Sequence, residues 1–156
     1  MEPKKLGFGL MRLPTTDPQN AASVDIELLK KMVDLFMSRG FTYFDTAIMY
    51  NGFASQRAAK EALVDRYPRD SFTLATKLHN AFFETKEDRD KVFNDQLEQT
   101  GAGYFDYYLI HGIEAGSWPK YDKLDCFNWL LDKKAQGLVS MPAFPSMIRR
   151  SCWIRS

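Results

Sequence analysis

Cysteine is scarce in this chain of 156 residues. Only Cys126 and Cys152 are present, offering neither a CxxC pair nor a disulfide framework, so a reducing cytoplasm is the expected setting. Histidine is equally scarce. His79 and His111 lack the spacing of a zinc site, and no metal is expected. The charge balance lacks a sign: 21 basic against 20 acidic residues leave +1, no electrostatic reason to bind nucleic acid or an anionic membrane. No apolar run approaches the ~20 residues that span a bilayer, and MEPKKLGFGLM is too short and glycine-broken for a signal peptide. The glycine-rich dinucleotide fingerprint is missing too, since LGFG runs into a long loop instead of straight into a helix.

What is present is ordinary globular material, 45% hydrophobic and 26% charged, with length for one domain rather than two. After the polar loop TTDPQNAAS, with Ser23 or Asp25 as a cap, Ile26, Leu29, Met32, Val33 and Phe36 fall at helical spacing. Gly40 stops that helix. SQRAAKEALVDRY (55–67), KEDRDKVFNDQLEQTG (86–101) and KLDCFNWLLDKKAQG (123–137) read as further helices. Between them lie strand-like TYF ending at Asp45, FTLATK (72–77) and YFDYYLIH (104–111). Strands recurring about every thirty residues with a helix in each gap indicate serial βα repetition and a parallel sheet. Polar strand ends favour a (β/α)8 TIM-barrel type over an open doubly wound sheet, here incomplete, with about the first four βα units.

Three strands end on chemistry. Asp45, Lys77 and His111 close successive strands, and Tyr50 follows Asp45 by five residues. Singly, each has a plain explanation: a solvated strand end, a snorkelling lysine, a core histidine, a packing tyrosine. In a parallel barrel, however, all strand ends open on one face. A phenol has a pKa of about 10, too high to protonate a substrate readily at neutral pH. An adjacent ammonium favours the phenolate, and a carboxylate holds the ammonium charged and in place. A neutral imidazole can orient a carbonyl oxygen. The quartet suits proton donation to an aldehyde or ketone, with hydride coming from a cofactor because no side chain supplies one.

In order and spacing, LGFGLMRLP, FDTAIMY, FTLATKL and YFDYYLIHG resemble the aldo/keto reductase family, bacterial branch, from Lys5 to about Val139. The resemblance implies carbonyl reduction with NADPH or NADH on a small-molecule substrate. By position it makes Tyr50 the proton donor, Lys77 and Asp45 its tuning pair, and His111 the carbonyl-orienting group. It also places Gly9, Leu10, Met11 and Asp45 beside the cofactor. Family members commonly carry Ser-Glu where this chain has Ser55-Gln56, which bears on the loop after Tyr50.

A complete barrel takes ~250 residues, and in the family most contacts to the cofactor's phosphates and adenine come from the second half. Residues 1–139 therefore read as the N-terminal half of a reductase barrel. The alternative is a non-catalytic, truncated half-barrel without cofactor binding, self-associating through its open edges. Residues 140–156, SMPAFPSMIRRSCWIRS, show two prolines, a basic pair and no strand pattern. Read one nucleotide back, Met141-Pro142 forces alanine, Met147-Ile148 aspartate, Cys152-Trp153 leucine and Trp153-Ile154 a second aspartate. All four fall where the family's fifth strand and next helix want them, so 140–156 is expected to be an aberrant, out-of-frame tail.

Overall fold

The computed structural model describes residues 5–143. Five parallel strands form one sheet in sequence order: β1 (Gly7–Gly9), β2 (Tyr43–Asp45), β3 (Thr73–His79), β4 (Phe105–His111) and β5 (Val139–Ala143). Helices fill every gap: α1 (Ile26–Ser38), α2 (Ser55–Ala59), α3 (Lys86–Thr100), α4 (Trp118–Lys123) and α5 (Cys126–Ala135). Five strands wound with crossover helices form the expected (β/α)8-type layer, incomplete among the described residues.

Local chemistry explains the helix ends. Asp25 caps α1 by accepting the Leu28 amide at 2.9 Å. Thr85 and Asp88 form a reciprocal capping box at the start of α3. Gly101 ends α3 in the left-handed region, at φ 63°, where a side chain would be strained. α2 departs from the regular helix expected over 55–67. After Ala59 it widens into a π-helical turn, Lys60–Val64, closed by the Asp65 amide donating to the Lys60 carbonyl at 2.9 Å. The segment before α5 was unassigned in sequence and holds the short helix α4.

The core lies between sheet and helices. Phe44 of β2 is fully buried, its ring 5.2 Å from Phe36 of α1 and 5.5 Å from Phe8 of β1. Phe93 of α3 meets Tyr108 of β4 at 5.1 Å and Trp129 of α5 at 5.7 Å. Full burial of each such side chain contributes about 1.5–3 kcal/mol.

Register sets the opposite face. Gly9, Asp45, Ala75, Tyr107 and Met141 form one row across the sheet. Lys77, Leu109 and Ala143 form the next, and His79 pairs with His111 beyond it. Because successive side chains alternate faces, these rows share the side away from the helices.

Two strand limits differ from the sequence reading. β3 runs two residues past Lys77, because its pairing with β4 continues to His79. β5 forms at Val139–Ala143, where no strand pattern was read. Its pairing partners are Phe105, Tyr107, Tyr108 and Leu109, and it asks little of its own side chains, since Ser140 and Met141 are exposed. Residues 144–156, most of the segment read as out of frame, lie outside the described residues.

Candidate active site

Asp45 ends β2 one row below Lys77, and the two meet diagonally across the sheet. The Lys77 ammonium donates to Asp45 Oδ1 at 2.6 Å and to the Thr46 carbonyl at 2.9 Å. It also lies 4.8 Å from the centre of the Tyr50 ring. The side chains of Lys77 and Asp45 are only 11% and 27% exposed, so water screens their attraction less than at an open surface. Two of the sequence-derived residues, Asp45 and Tyr50, thus meet on the third, the Lys77 cation.

His111 stands at the end of β4 on the same face. Burial lowers its pKa first, followed by the neighbouring His79 and Lys77, with Asp45 opposing. The ring is held toward its neutral form, as a hydrogen-bonding group rather than a charge. Its Nδ1 is buried with no protein partner among the described residues, while its backbone carbonyl accepts the Tyr121 hydroxyl at 2.6 Å.

The loop carrying Tyr50 is strained. Asn51, Gly52 and Phe53 follow one another in the left-handed region, at φ 48°, 57° and 72°. Left-handed residues other than glycine each cost of order 1–3 kcal/mol and persist where surrounding contacts over-determine them. Those contacts are visible. Asn51 accepts the Leu13 amide at 3.1 Å and donates to the Ala21 carbonyl at 3.2 Å. Just beyond the strained residues, Ser55 donates to the Leu10 carbonyl at 2.8 Å and accepts from the Thr46 hydroxyl at 2.7 Å.

Behind β3 a dry polar network fixes the Lys77 backbone. Gln96 donates to the Lys77 carbonyl at 3.0 Å and accepts the Tyr108 hydroxyl at 2.6 Å. Gln56 donates to Thr76 Oγ1 at 3.0 Å, leaving its own Oε1 buried and unpartnered. The departure at Gln56 therefore bears on the strand that carries Lys77 as well as on the Tyr50 loop.

The three first-strand residues divide. At Gly9 an added Cβ would meet nothing within 4 Å, so the row beside Asp45 opens into free space. Met11 is 53% exposed. Leu10 is 1% exposed, its amide donating to the Asp45 carbonyl and its carbonyl accepting from Ser55. Gly9 thus borders open space and Met11 is exposed, while Leu10 belongs to the core.

One residue of this face was missed in sequence. His79 lies one residue pair beyond Lys77, its ring centroid 5.0 Å from that of His111. The missed signal was the two-residue period: Ala75, Lys77 and His79 alternate with apolar Leu74 and Leu78.

A model of the aldo/keto reductase family matches residues 5–143. The 4-dihydromethyl-trisporate dehydrogenase of Mucor mucedo is 33% identical over 110 residues, covering 67% of this chain and 30% of that protein. An aldo-keto reductase from Bacillus halodurans, solved in its holo form, superposes with a TM-score of 0.70 at 26% identity, over 92% of this chain and 46% of that one. One from Klebsiella pneumoniae, in complex with NADPH, gives 0.67 at 18% identity, over 88% and 44%, and bears on the fold alone. The chain thus spans half or less of the length of these relatives. With the family model covering all the described residues, the chain belongs to the aldo/keto reductase family.

Proposed function

We propose that this chain carries the proton-donating half of a site that reduces an aldehyde or ketone to an alcohol with NADPH or NADH. The observation that carries the reading is the Lys77 ammonium shared between Asp45 and the Tyr50 ring. The nicotinamide, when bound, supplies the hydride that reaches the carbonyl carbon. The Tyr50 hydroxyl gives its proton to the carbonyl oxygen. Lys77 favours the phenolate left behind, and Asp45 keeps Lys77 charged and aimed. His111, neutral, donates a hydrogen bond that orients the carbonyl. Gly9, Met11 and Asp45 form the chain's own contribution to holding the cofactor.

The test is Tyr50→Phe beside the parent protein. Carbonyl reduction should disappear while nicotinamide fluorescence still reports NADPH binding, because the phenol moves a proton and contributes little to cofactor contact. More than a tenth of the parent kcat removes Tyr50 from the role. Lys77→Met should be comparably damaging.

A non-catalytic half-barrel is favoured by one fact, the 46% coverage of the Bacillus halodurans protein. Lack of any NADPH binding at millimolar cofactor would establish that reading instead. Self-association belongs to both readings. Leu35, Leu131 and Met141 are exposed, and β1 and β5 each pair on one side only among the described residues. Sedimentation of a monodisperse monomer would count against it. Among the described residues no helix is long and apolar enough to cross a membrane, and we place the chain in the cytoplasm, where the buried free thiol of Cys126 stays reduced.

A further inference from the structure

The Lys77 carbonyl lies where its strand has lost a neighbour. β2 ends at Asp45, paired with Ala75, and the Ala75 carbonyl still accepts the Thr46 amide at 2.9 Å. Backbone groups two residues apart face the same edge of a parallel strand, so the Lys77 carbonyl faces that edge beyond the last ladder pair. Gln96 of α3, fully buried, fills the place by donating to it at 3.0 Å. The same amide accepts the Tyr108 hydroxyl at 2.6 Å. A carbonyl only accepts, so the nitrogen end of Gln96 has to face Lys77 and the oxygen end Tyr108. Burial holds the Tyr108 phenol well above its ordinary pKa, which keeps its proton in place as the donor. One buried amide thus ties the strand bearing Lys77 to β4, which ends at His111. Gln56 of α2 reinforces the tie, donating to Thr76 Oγ1 at 3.0 Å, the same oxygen that Gln96 reaches at 3.4 Å.

The Lys77 ammonium has to meet Asp45, the Thr46 carbonyl and the Tyr50 ring at once. A shift of the backbone behind it breaks at least one of these contacts. We infer that Gln96 is a positioning residue of the site, holding the Lys77 backbone so that the ammonium stays at Asp45 and Tyr50 and in fixed relation to His111. This rests on the proposed carbonyl reduction, to which Gln96 contributes no reacting atom.

Gln96→Met keeps the length of the side chain and removes both of its bonds. Asp106→Asn is the comparison, since it alters the 2.7 Å bond to Arg69 near the opposite ends of β3 and β4, outside the site. Loss of one neutral hydrogen bond corresponds to roughly tenfold, and a misplacement near 1 Å to about a hundredfold. In Gln96→Met, kcat for carbonyl reduction should fall within about that range with KM nearly unchanged, while Asp106→Asn retains kcat. An unchanged kcat in Gln96→Met, a loss confined to KM, or an equal loss in both variants overturns the inference. Ring 1H–13C spectra of Tyr50, identified by Tyr50→Phe, supply a readout free of turnover. Its resonances should move in Gln96→Met and stay in place in Asp106→Asn. A Tyr50 signal unmoved in Gln96→Met overturns the inference as well. If Gln96→Met does not fold, Gln96→Ala takes its place in both measurements with the same expected and refuting results, because its vacated polar space admits water to the Lys77 carbonyl. If the parent protein reduces no carbonyl, the proposed function has failed, and the Tyr50 spectra still decide whether Gln96 holds the contact between Lys77 and Tyr50.

Discussion

Arg69 joins the N-terminal ends of β3 and β4, and its removal has a cost that can be worked from its partners. Its Nε donates to the Ala102 carbonyl at 3.0 Å and its Nη1 to the Phe72 carbonyl at 3.1 Å. Nη2 donates to the Tyr104 carbonyl at 2.8 Å and to Asp106 Oδ2 at 2.7 Å. The guanidinium also lies 3.7 Å over the Tyr104 ring. Side-chain exposures of 21% and 18% make the Arg69–Asp106 pair largely dry, so the small values typical of surface pairs do not apply. Arg69→Met removes one charge-assisted bond, worth about 1.5–3 kcal/mol, and strands the buried carbonyls of Ala102 and Phe72 at about 1 kcal/mol each. The expected destabilisation is about 3–5 kcal/mol, the range for breaking a buried pair from one side. Asp106→Asn should cost less, because an amide oxygen can still accept the Leu74 amide that Asp106 now accepts at 2.8 Å. Urea unfolding followed by tryptophan fluorescence, on both single variants and the double, gives the coupling directly. A cost below about 1 kcal/mol for Arg69→Met, or strict additivity in the double variant, would refute the reasoning.

Other expectations follow from the same contacts. The folded pKa values of His79 and His111 lie below the ordinary value of about 6.5. The unfolded chain therefore binds more protons on acidification, so the stability contributed by keeping these rings neutral is complete above pH ~6.5 and declines as pH falls through the folded values. Burial gives that sign at both rings, reinforced at His111 by His79 and Lys77 and opposed by Asp45. The urea midpoint should drop as pH falls below about 6.5, and drop less in a His79→Phe/His111→Phe variant; a flat profile contradicts it. At Gly7 an added Cβ would lie 2.7 Å from Tyr43 Cδ1, so Gly7→Ala should lower Tm with a loss of about 1–3 kcal/mol, relieved in a Tyr43→Ala background. Thermal melts of the single and double variants check this. For residues 140–156 the coding nucleotides are decisive: the shifted frame should continue as barrel sequence, and failure to do so refutes an out-of-frame tail.

The parts of this molecule legible in its sequence are those decided locally. α1 and α3 show their caps and apolar spacing in contiguous residues, and the structure ends them within a residue or two of the expected limits. Asp45, Lys77 and His111 were legible because each follows an apolar run that has to be a strand. The π-helical turn after Ala59 was not, because AAKEALV is an ordinary helix pattern and the widening shows only in the backbone bond from Asp65 to Lys60. In α3 most side chains are polar, the kind expected to face water. Yet Arg89, Gln96 and Thr100 are buried, and Gln96 is bound by partners on β3 and β4 that are remote in sequence.

The misplaced end of β3 has the largest consequence. A strand's last residue is set by how far its neighbour continues, and β4 continues to His111. Ending β3 at Lys77 placed one imidazole at the site; extending the ladder by two residues places a second, in register with the first. β5 makes the same point from the other edge. Pro142 cannot donate to a ladder and is tolerated on an edge strand, and only Val139 of β5 is buried outright. The apolar alternation that announces a strand is therefore absent, and the unpaired edge of β4 supplies the order. In both places the neighbouring strand determines the limit. A strand end is therefore a property of the pair of strands rather than of one chain segment. Here β4 runs to His111, and that row carries β3, and with it the site's face, from Lys77 to His79.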